Sequence, residues 1–538
     1  MIRMTSAGEN SLAEIRFRQE QNSWGMVMSE KYIVGFDMGT GSVRVGVYKL
    51  DGHEIGFAAT EYETIHEHPG WAEQRPMDWW NGLQKSMKAA MEMAGVDKED
   101  IIAIGYDVTC CSVMLCKKDG TPLRDCLIWM DVRSAKEAEE IAATGDDALK
   151  FNSYGSVSAE WMPCKALWLK RHERENYDAA DVVCECTDWI TYMLTGRWTA
   201  SMSNISARWY YDSRNGGFPK SLYEAVGLGD VLEKFPQDIH FLGDSLGTLT
   251  KEAAQFLGLS ENTIVAQGGP DAFIGCFGLG VISPGKVALI TGSSHLILGL
   301  TDVFKYSKSG IFGPFPGAIR EEYGMVEGGQ TSSGSIVSWF KNNFCGDLKD
   351  KEGGAYGELN RQAAKLEPGS DGLLVLDWWQ GNRTPYTDGS IRGNIYGLSL
   401  GHTQGHLFRA IMEGVAYGTE NVFQSFREAG YEVNEIYMGG GTTNSDLFMQ
   451  IHADVSNVVV NVPEDPQSCA LGSAILATIA AGVYVTFEEA VAHMVRYSKR
   501  IEPNLENHKK YQQYFAQYRK AYDTFGQWMR DTSAVNVH

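Results

Sequence analysis

Regular clustering of apolar side chains begins at Tyr32. "YIVGFD", "VRVGVYKL" and "EIGFAATEY" are short runs rich in β-branched and aromatic residues, and they predict three successive strands joined by tight turns. In "DWWNGLQKSMKAAMEMAG" the apolar spacing changes to about 3.6 residues, which predicts a helix from Met77 to Ala94 closed by Gly95. "IIAIGYD" then predicts a short buried strand ending on a carboxylate, Asp107, as the first strand reaches Asp37. Hairpin strands followed by helix and strand imply a mixed sheet with helices packed on it.

The same grammar returns later. "GKVALITGSSH" predicts a strand running into a turn of small residues. "HLFRAIMEGVAYGTENVFQSFREAG" predicts a long amphipathic helix stopped by Gly430. "EIYMGGGTTNSDLFMQIHADV" reads as strand, triple-glycine turn and helix; "VVVNVP" as a strand; "CALGSAILATIAAGVY" as a closely packed small-residue helix. Two α/β halves follow, with the boundary at Ser283-Pro284-Gly285: one domain over 31–283 and a second over 284–538, ending in a helical tail. Residues 1–30 show weak periodicity and little to bury. They are expected to form a flexible extension, or to precede an alternative start at Met26 or Met28.

Composition narrows the function classes. The 538 residues are 43% hydrophobic and 21% charged, as in ordinary globular chains. A net charge of -21 disfavours nucleic acid and anionic membranes as partners. With no apolar run of spanning length and no signal segment, the expected location is cytoplasmic. The ten cysteines form no CxxC pair, so reduced thiols in a core are expected, not a zinc site.

Chemistry concentrates at turns that follow strands. Gly39, Thr40, Gly41 and Ser42 can aim backbone N–H groups and hydroxyls at an anion, and Arg44 follows. Neither a Walker motif nor a dinucleotide fingerprint is present. The turns at Gly292-Ser293-Ser294 and Gly439-Gly440-Gly441 repeat the theme. Three such turns in two halves suit a triphosphate held in a cleft.

These motifs resemble those of the FGGY carbohydrate kinases, in the actin/hexokinase/heat-shock ATPase superfamily. "GFDMGTGSVR" is similar to the first phosphate motif, "QGGPDAFIGCFGLGV" to the Gly-Gly-x-Asp-Ala segment, "ALITGSSH" to the second phosphate motif and "MGGGTTNSDLFMQIHADV" to the adenosine motif. The match runs from Tyr32 to Tyr522. "GYDVTCCSVML", "LIWMDVRSAKEAEEI", "EGGQTSSGS" and "DWWQGNRTP" look most like ribulose kinases. Glycerol kinases carry Arg-Glu, and xylulose kinases Met-His, where this chain has Cys110-Cys111; Val132 stands where many ribulose kinases have histidine.

The resemblance implies two actin-like (ribonuclease H-like) domains, each a mixed sheet flanked by helices, with the active site in the cleft between them. It implies ATP-dependent phosphorylation of a terminal hydroxyl of a ketopentose or short polyol, ribulose first. Xylulose, ribitol and erythritol are alternative acceptors, and a non-catalytic nucleotide-binding sugar sensor is the alternative of another class. By the same resemblance Asp271 is the catalytic base, against the plain reading of a helix cap. Asp37, with Asp271, faces Mg²⁺, against an Asx turn residue. Thr291, Gly292 and Ser293 meet the γ-phosphate; Gly440, Gly441 and Asn444 meet the nucleoside. Thr109, Cys110, Cys111, Asp131, Arg208, Asp271 and Glu327 are the sugar-side candidates. For the two cysteines, core and ligand readings stand level. Trp71 and Glu73 are open between substrate contact and core or surface turn. Expected partners are the sugar and ATP, with a homodimer as a further candidate.

Overall fold

A computed structural model describes residues 30–535. The expected extension, but for Glu30, lies outside the described residues. Among the described residues, two seven-stranded sheets carry the architecture. The first is built from β1 (Tyr32–Met38), β2 (Ser42–Lys49), β3 (Glu54–Glu61), β4 (Ile101–Val108), β5 (Ser245–Thr248) and β6 (Ile264–Ala266), in the order β5-β6-β4-β1-β2-β3. The pair Gly269–Pro270 continues alongside β4. β1 to β3 form an antiparallel meander, while β4 and β6 run parallel to β1. Such a mixed sheet follows from the sequence: two short hairpin links, then a crossover through α1 (Pro76–Ala94). Pro76 opens that helix and Gly95, in the left-handed region, closes it.

After α2 (Asp271–Leu279), the second sheet repeats the plan. It comprises β7 (Gly285–Thr291), β8 (His295–Thr301), β9 (Phe312–Pro316), β10 (Gly324–Gln330), β11 (Val433–Gly440), β12 (Val459–Pro463) and β13 (Tyr497–Ile501), ordered β9-β10-β8-β7-β11-β12-β13. Again an antiparallel meander precedes parallel neighbours, β7 with β11 and β11 with β12. The crossover into β11 is α3 (Gln404–Ala429), capped by Gly430 as its spacing predicts. Helix α4 (Asp446–Ser456) lies between β11 and β12.

Strands of the first sheet all precede residue 284 and those of the second all follow it, but the helices cross over. Helix α5 (Ser468–Ala480) packs on β1 and β4 of the first sheet and against α2. Its approach is so close that a Cβ at Gly35 would lie 2.0 Å from the Ala470 carbonyl oxygen, and one at Gly105 1.9 Å from that of Ser473. The tail forms α6 (Leu505–Val535), which buries Tyr511 and Tyr518 against α3 and its neighbours. No described helix is long and apolar enough to cross a membrane, and the ten cysteines are all unpaired.

Candidate active site

Both sheets present the ends of their central strands to one cleft. In register, Asp37 on β1 sits beside Asp107 on β4, and Gly269 sits on the other side of Asp107. Two residues on, Asp271 opens α2. Three carboxylates therefore converge because three neighbouring strands end at one level.

Each is held differently. Arg44, opposite Asp37 in the β1–β2 pair, donates from Nη1 to Asp37 Oδ2 at 2.6 Å. Ser473 Oγ, from α5, donates to Asp107 Oδ2 at 2.7 Å. The Oδ1 atoms of Asp37 and Asp107 are buried without a protein partner. Burial, and then the charge of Asp37, push the Asp107 carboxyl well up. Asp271 Oδ1 accepts from the Ala272 N–H at 2.7 Å; the helix N-cap is Pro270, so Asp271 stands inside the first turn and not at the cap. Burial pushes its carboxyl up to about 7, with the neighbouring Asp37 charge adding to the rise.

Two cavities meet here. One, of about 840 Å³, is lined by Thr40, Cys110, Cys111, Arg208, Asp271 and Glu327. Thr109 and Ser293 also line it. The other, of about 700 Å³, is lined by Gly292, Ser293, Gly441 and Asn444, together with Trp339 and Tyr356. Ser293 belongs to both.

The wall at Thr109–Ser112 is fixed by its backbone. Cys111, at φ 58°, donates its N–H to Glu185 Oε2 at 2.8 Å, and its carbonyl accepts from the buried Lys165 Nζ at 2.8 Å. Across the cavity, Glu327 is 2% exposed and held by Arg208, whose Nη2 donates to Oε2 at 2.6 Å, and by Arg383 on Oε1. Burial raises the Glu327 carboxyl, but the two guanidiniums outweigh it and hold it at about 2.

Other candidates fall elsewhere. Asp131 is fully buried away from both cavities. Its carboxylate accepts the Ala72 N–H at 2.7 Å and a forked pair of bonds from Arg133, so it is spent on its own loop. Thr291 sits behind the wall, donating to the Gly439 carbonyl at 2.8 Å and accepting from Thr442 Oγ1 at 2.7 Å. Gly440 is pressed against Thr291, where a Cβ would lie 1.9 Å from its carbonyl oxygen. Gly39, Gly41, Ser42 and Arg44 shape the first turn, and Thr40 alone of that turn lines a cavity. Trp71 covers Arg133 at 3.6 Å and Glu73 pairs with Arg124, and neither lines either of the two cavities. Val132 is exposed and outside the lining of either cavity.

Sequence reasoning passed over Arg383, Trp129, Glu160 and Gln380 in the first cavity and Trp339 and Tyr356 in the second. Arg383 and Gln380 stand inside "DWWQGNRTP", so the segment was marked though the residues were not. Trp129 likewise stands inside "LIWMDVRSAKEAEEI", whereas Glu160, Trp339 and Tyr356 carried no local signal.

For a divalent cation the donor set is suitable: hard carboxylate oxygens, two of them buried and unpartnered, at the mouth of the phosphate turn.

Known proteins resemble this chain in sequence and in fold. Residues 32–278 match the FGGY family of carbohydrate kinases, N-terminal domain, and residues 287–481 its C-terminal domain. A protein named ribulokinase in Anoxybacillus flavithermus is 32% identical, covering 94% of this chain and 96% of its own. A xylulose kinase of Staphylococcus epidermidis is 27% identical over 94% of this chain and 100% of its own. The crystal structure of xylulose kinase from Rhodospirillum rubrum superposes with a TM-score of 0.84 at 25% identity, over 93% of this chain and 100% of that one.

Proposed function

From a chain that belongs to the FGGY family of carbohydrate kinases, and so phosphorylates a sugar with ATP, we propose a kinase for ketopentoses with ribulose as its first acceptor. The observation that carries this reading is Glu327, fixed and ionised between Arg208 and Arg383 in the cavity that also holds Asp271. An oriented carboxylate with two guanidiniums offers acceptors and donors for adjacent hydroxyls. The ribulokinase relatives at about this level of identity support the same acceptor, and xylulose is the runner-up.

In this mechanism the sugar lies in the larger cavity and the nucleotide in the smaller, so the terminal phosphate sits where they join, at Ser293. Asp271 Oδ2 takes the proton of a terminal hydroxyl as that oxygen bonds to the γ-phosphorus and ADP departs. A carboxyl held at about 7 suits a base working near neutrality. Backbone N–H groups of the Gly39–Gly41 and Gly292–Ser293 turns hold the phosphate oxygens. Mg²⁺, when bound by Asp37 with Asp271, supplies charge neutralisation of the phosphates. Closure of the 31–283 unit on the 284–538 unit excludes water.

A coupled ADP-release assay over pentuloses and pentitols tests the acceptor: ribulose is expected to give the highest kcat/KM. A higher value for xylulose or a pentitol would overturn ribulose. For the base, Asp271→Asn is expected to fold and bind ATP while losing about 10²–10⁴-fold in rate. Parent-like turnover would remove Asp271 from that role.

A further inference from the structure

The floor of the cleft holds a thiol that phosphate transfer does not require. It is that of Cys469, beside the Asp37 and Asp107 carboxylates. One donor atom from each residue lies within 4.8 Å of the others. The carboxylates come from adjacent parallel strands of the first half, and the cysteine from the second residue of α5, in the second half. Cys469 reaches them because Gly35 and Gly105 let the α5 backbone rest on β1 and β4. Its Sγ makes a weak contact, donating to the Asp271 carbonyl at 3.4 Å. Asp37 Oδ1 and Asp107 Oδ1 are buried and unpartnered, while Arg44 and Ser473 occupy the two Oδ2 atoms. Two abutting carboxylates with free oxygens call for a cation or a shared proton between them.

Mg²⁺ takes oxygen ligands and gains little from sulfur, whereas Zn²⁺ and Cd²⁺ bind thiolate and carboxylate together. We propose that Asp37, Asp107 and Cys469 form a binding site for a thiophilic divalent cation of the zinc or cadmium type. Tetrahedral zinc with ligands at about 2.0–2.3 Å places donors roughly 3.3–3.8 Å apart, so groups now within 4.8 Å of one another need to draw together by up to about 1.5 Å. On binding, the Cys469 S–H bond breaks, the thiol proton and the proton shared by the Asp37 and Asp107 carboxylates pass to solvent, and the sulfur and carboxylate oxygens donate electron pairs to the metal. Occupation also removes Asp37 from the phosphate turn. The site is therefore inhibitory, a consequence that rests on the kinase reading above, whereas the binding itself does not.

The test uses the full chain without nucleotide. Cd²⁺ is titrated while the thiolate-to-cadmium charge-transfer band is followed by difference spectroscopy, and Zn²⁺ binding is measured calorimetrically in two buffers to count released protons. One equivalent with a charge-transfer band and proton release is expected. Cys469→Ser should lose the band and weaken Cd²⁺ binding at least tenfold, yet melt like the parent and keep its Mg²⁺-supported turnover. Asp107→Asn should weaken Cd²⁺ binding while retaining some of the band. Micromolar Zn²⁺ should inhibit the parent and spare Cys469→Ser. A band that survives in Cys469→Ser, or absence of Cd²⁺ binding at micromolar concentration, overturns the proposal. Failure of the sugar assay alone would count against the acceptor, because the binding measurements need no sugar.

Discussion

Glu327→Gln removes one charge and keeps the shape. In the parent, Glu327 is buried on β10 and bridges Arg208 from the first half to Arg383 in the second. Burial alone would raise its carboxyl above the ordinary 4.5; Arg208 and Arg383 bring it to about 2 instead. At about 1.4 kcal/mol per unit, that displacement corresponds to roughly 3 kcal/mol favouring the ionised form. A second route agrees: breaking a buried ion pair from one side typically costs about 3–5 kcal/mol, because the guanidinium of Arg208 stays buried. The sign follows from linkage. The folded value lies below the unfolded one, so this stability is fully present above about 4.5 and is lost as pH falls toward 2. Urea unfolding of parent and variant at pH 7 and at pH 4 reads both magnitude and sign, and a sugar titration reads KM. The expected result is a variant weaker by about 3 kcal/mol at pH 7, a smaller gap at pH 4, and a raised sugar KM with nucleotide affinity retained. Equal unfolding midpoints at pH 7 together with an unchanged KM would refute the reasoning.

Gly105→Ala should destabilise by about 1–3 kcal/mol or more, read as a lowered melting temperature, because its Cβ would lie 1.9 Å from the Ser473 carbonyl oxygen. His295 and His452 are buried neutral, burial holding them down at about 3 and about 4. The unfolded chain binds those protons first, so stability should fall as pH drops below about 6.5, by up to about 1.4 kcal/mol per unit for each; His452→Gln should flatten the melting temperature between pH 7 and pH 5, and an unchanged slope would count against the buried pair as its cause.

Much of the fold was legible because its signals are local. β1 to β3, α1 with Gly95 and α3 with Gly430 all show periodicity and stop residues within a short window, whereas of the three glycines read as a turn Gly439 and Gly440 still belong to β11 and the turn begins at Gly441. The cleft was legible in part for the same reason: Asp37, Asp107 and Asp271 each end or follow a strand run. The sugar side was harder. Arg208 lies on a short helix, Met202–Arg208, within an irregular stretch, and only pairing with Glu327 gives it meaning. Asp131 shows the converse, a polar residue in a promising motif whose bonds are consumed by Ala72 and Arg133. Long-range partners of a charged side chain leave no mark on local pattern, so position in a motif could not separate the two.

Glycines within strands carry the remaining information. Gly35 and Gly105 weaken β1 and β4 as isolated strands, since glycine loses more conformational freedom and packs nothing. Their use is on the other face, where the α5 backbone approaches to a distance no side chain would permit. Gly472 and Gly278 do the same between α5 and α2: a Cβ at Gly472 would lie 2.2 Å from the Ile274 carbonyl oxygen, and one at Gly278 2.0 Å from that of Ser468. A helix from the second half is thereby seated on the first half's sheet and on the helix that Asp271 opens. That seat delivers Ser473 to Asp107 and Cys469 to the carboxylates. Local cost in two strands is thus the physical condition for assembling one site from both halves of the chain.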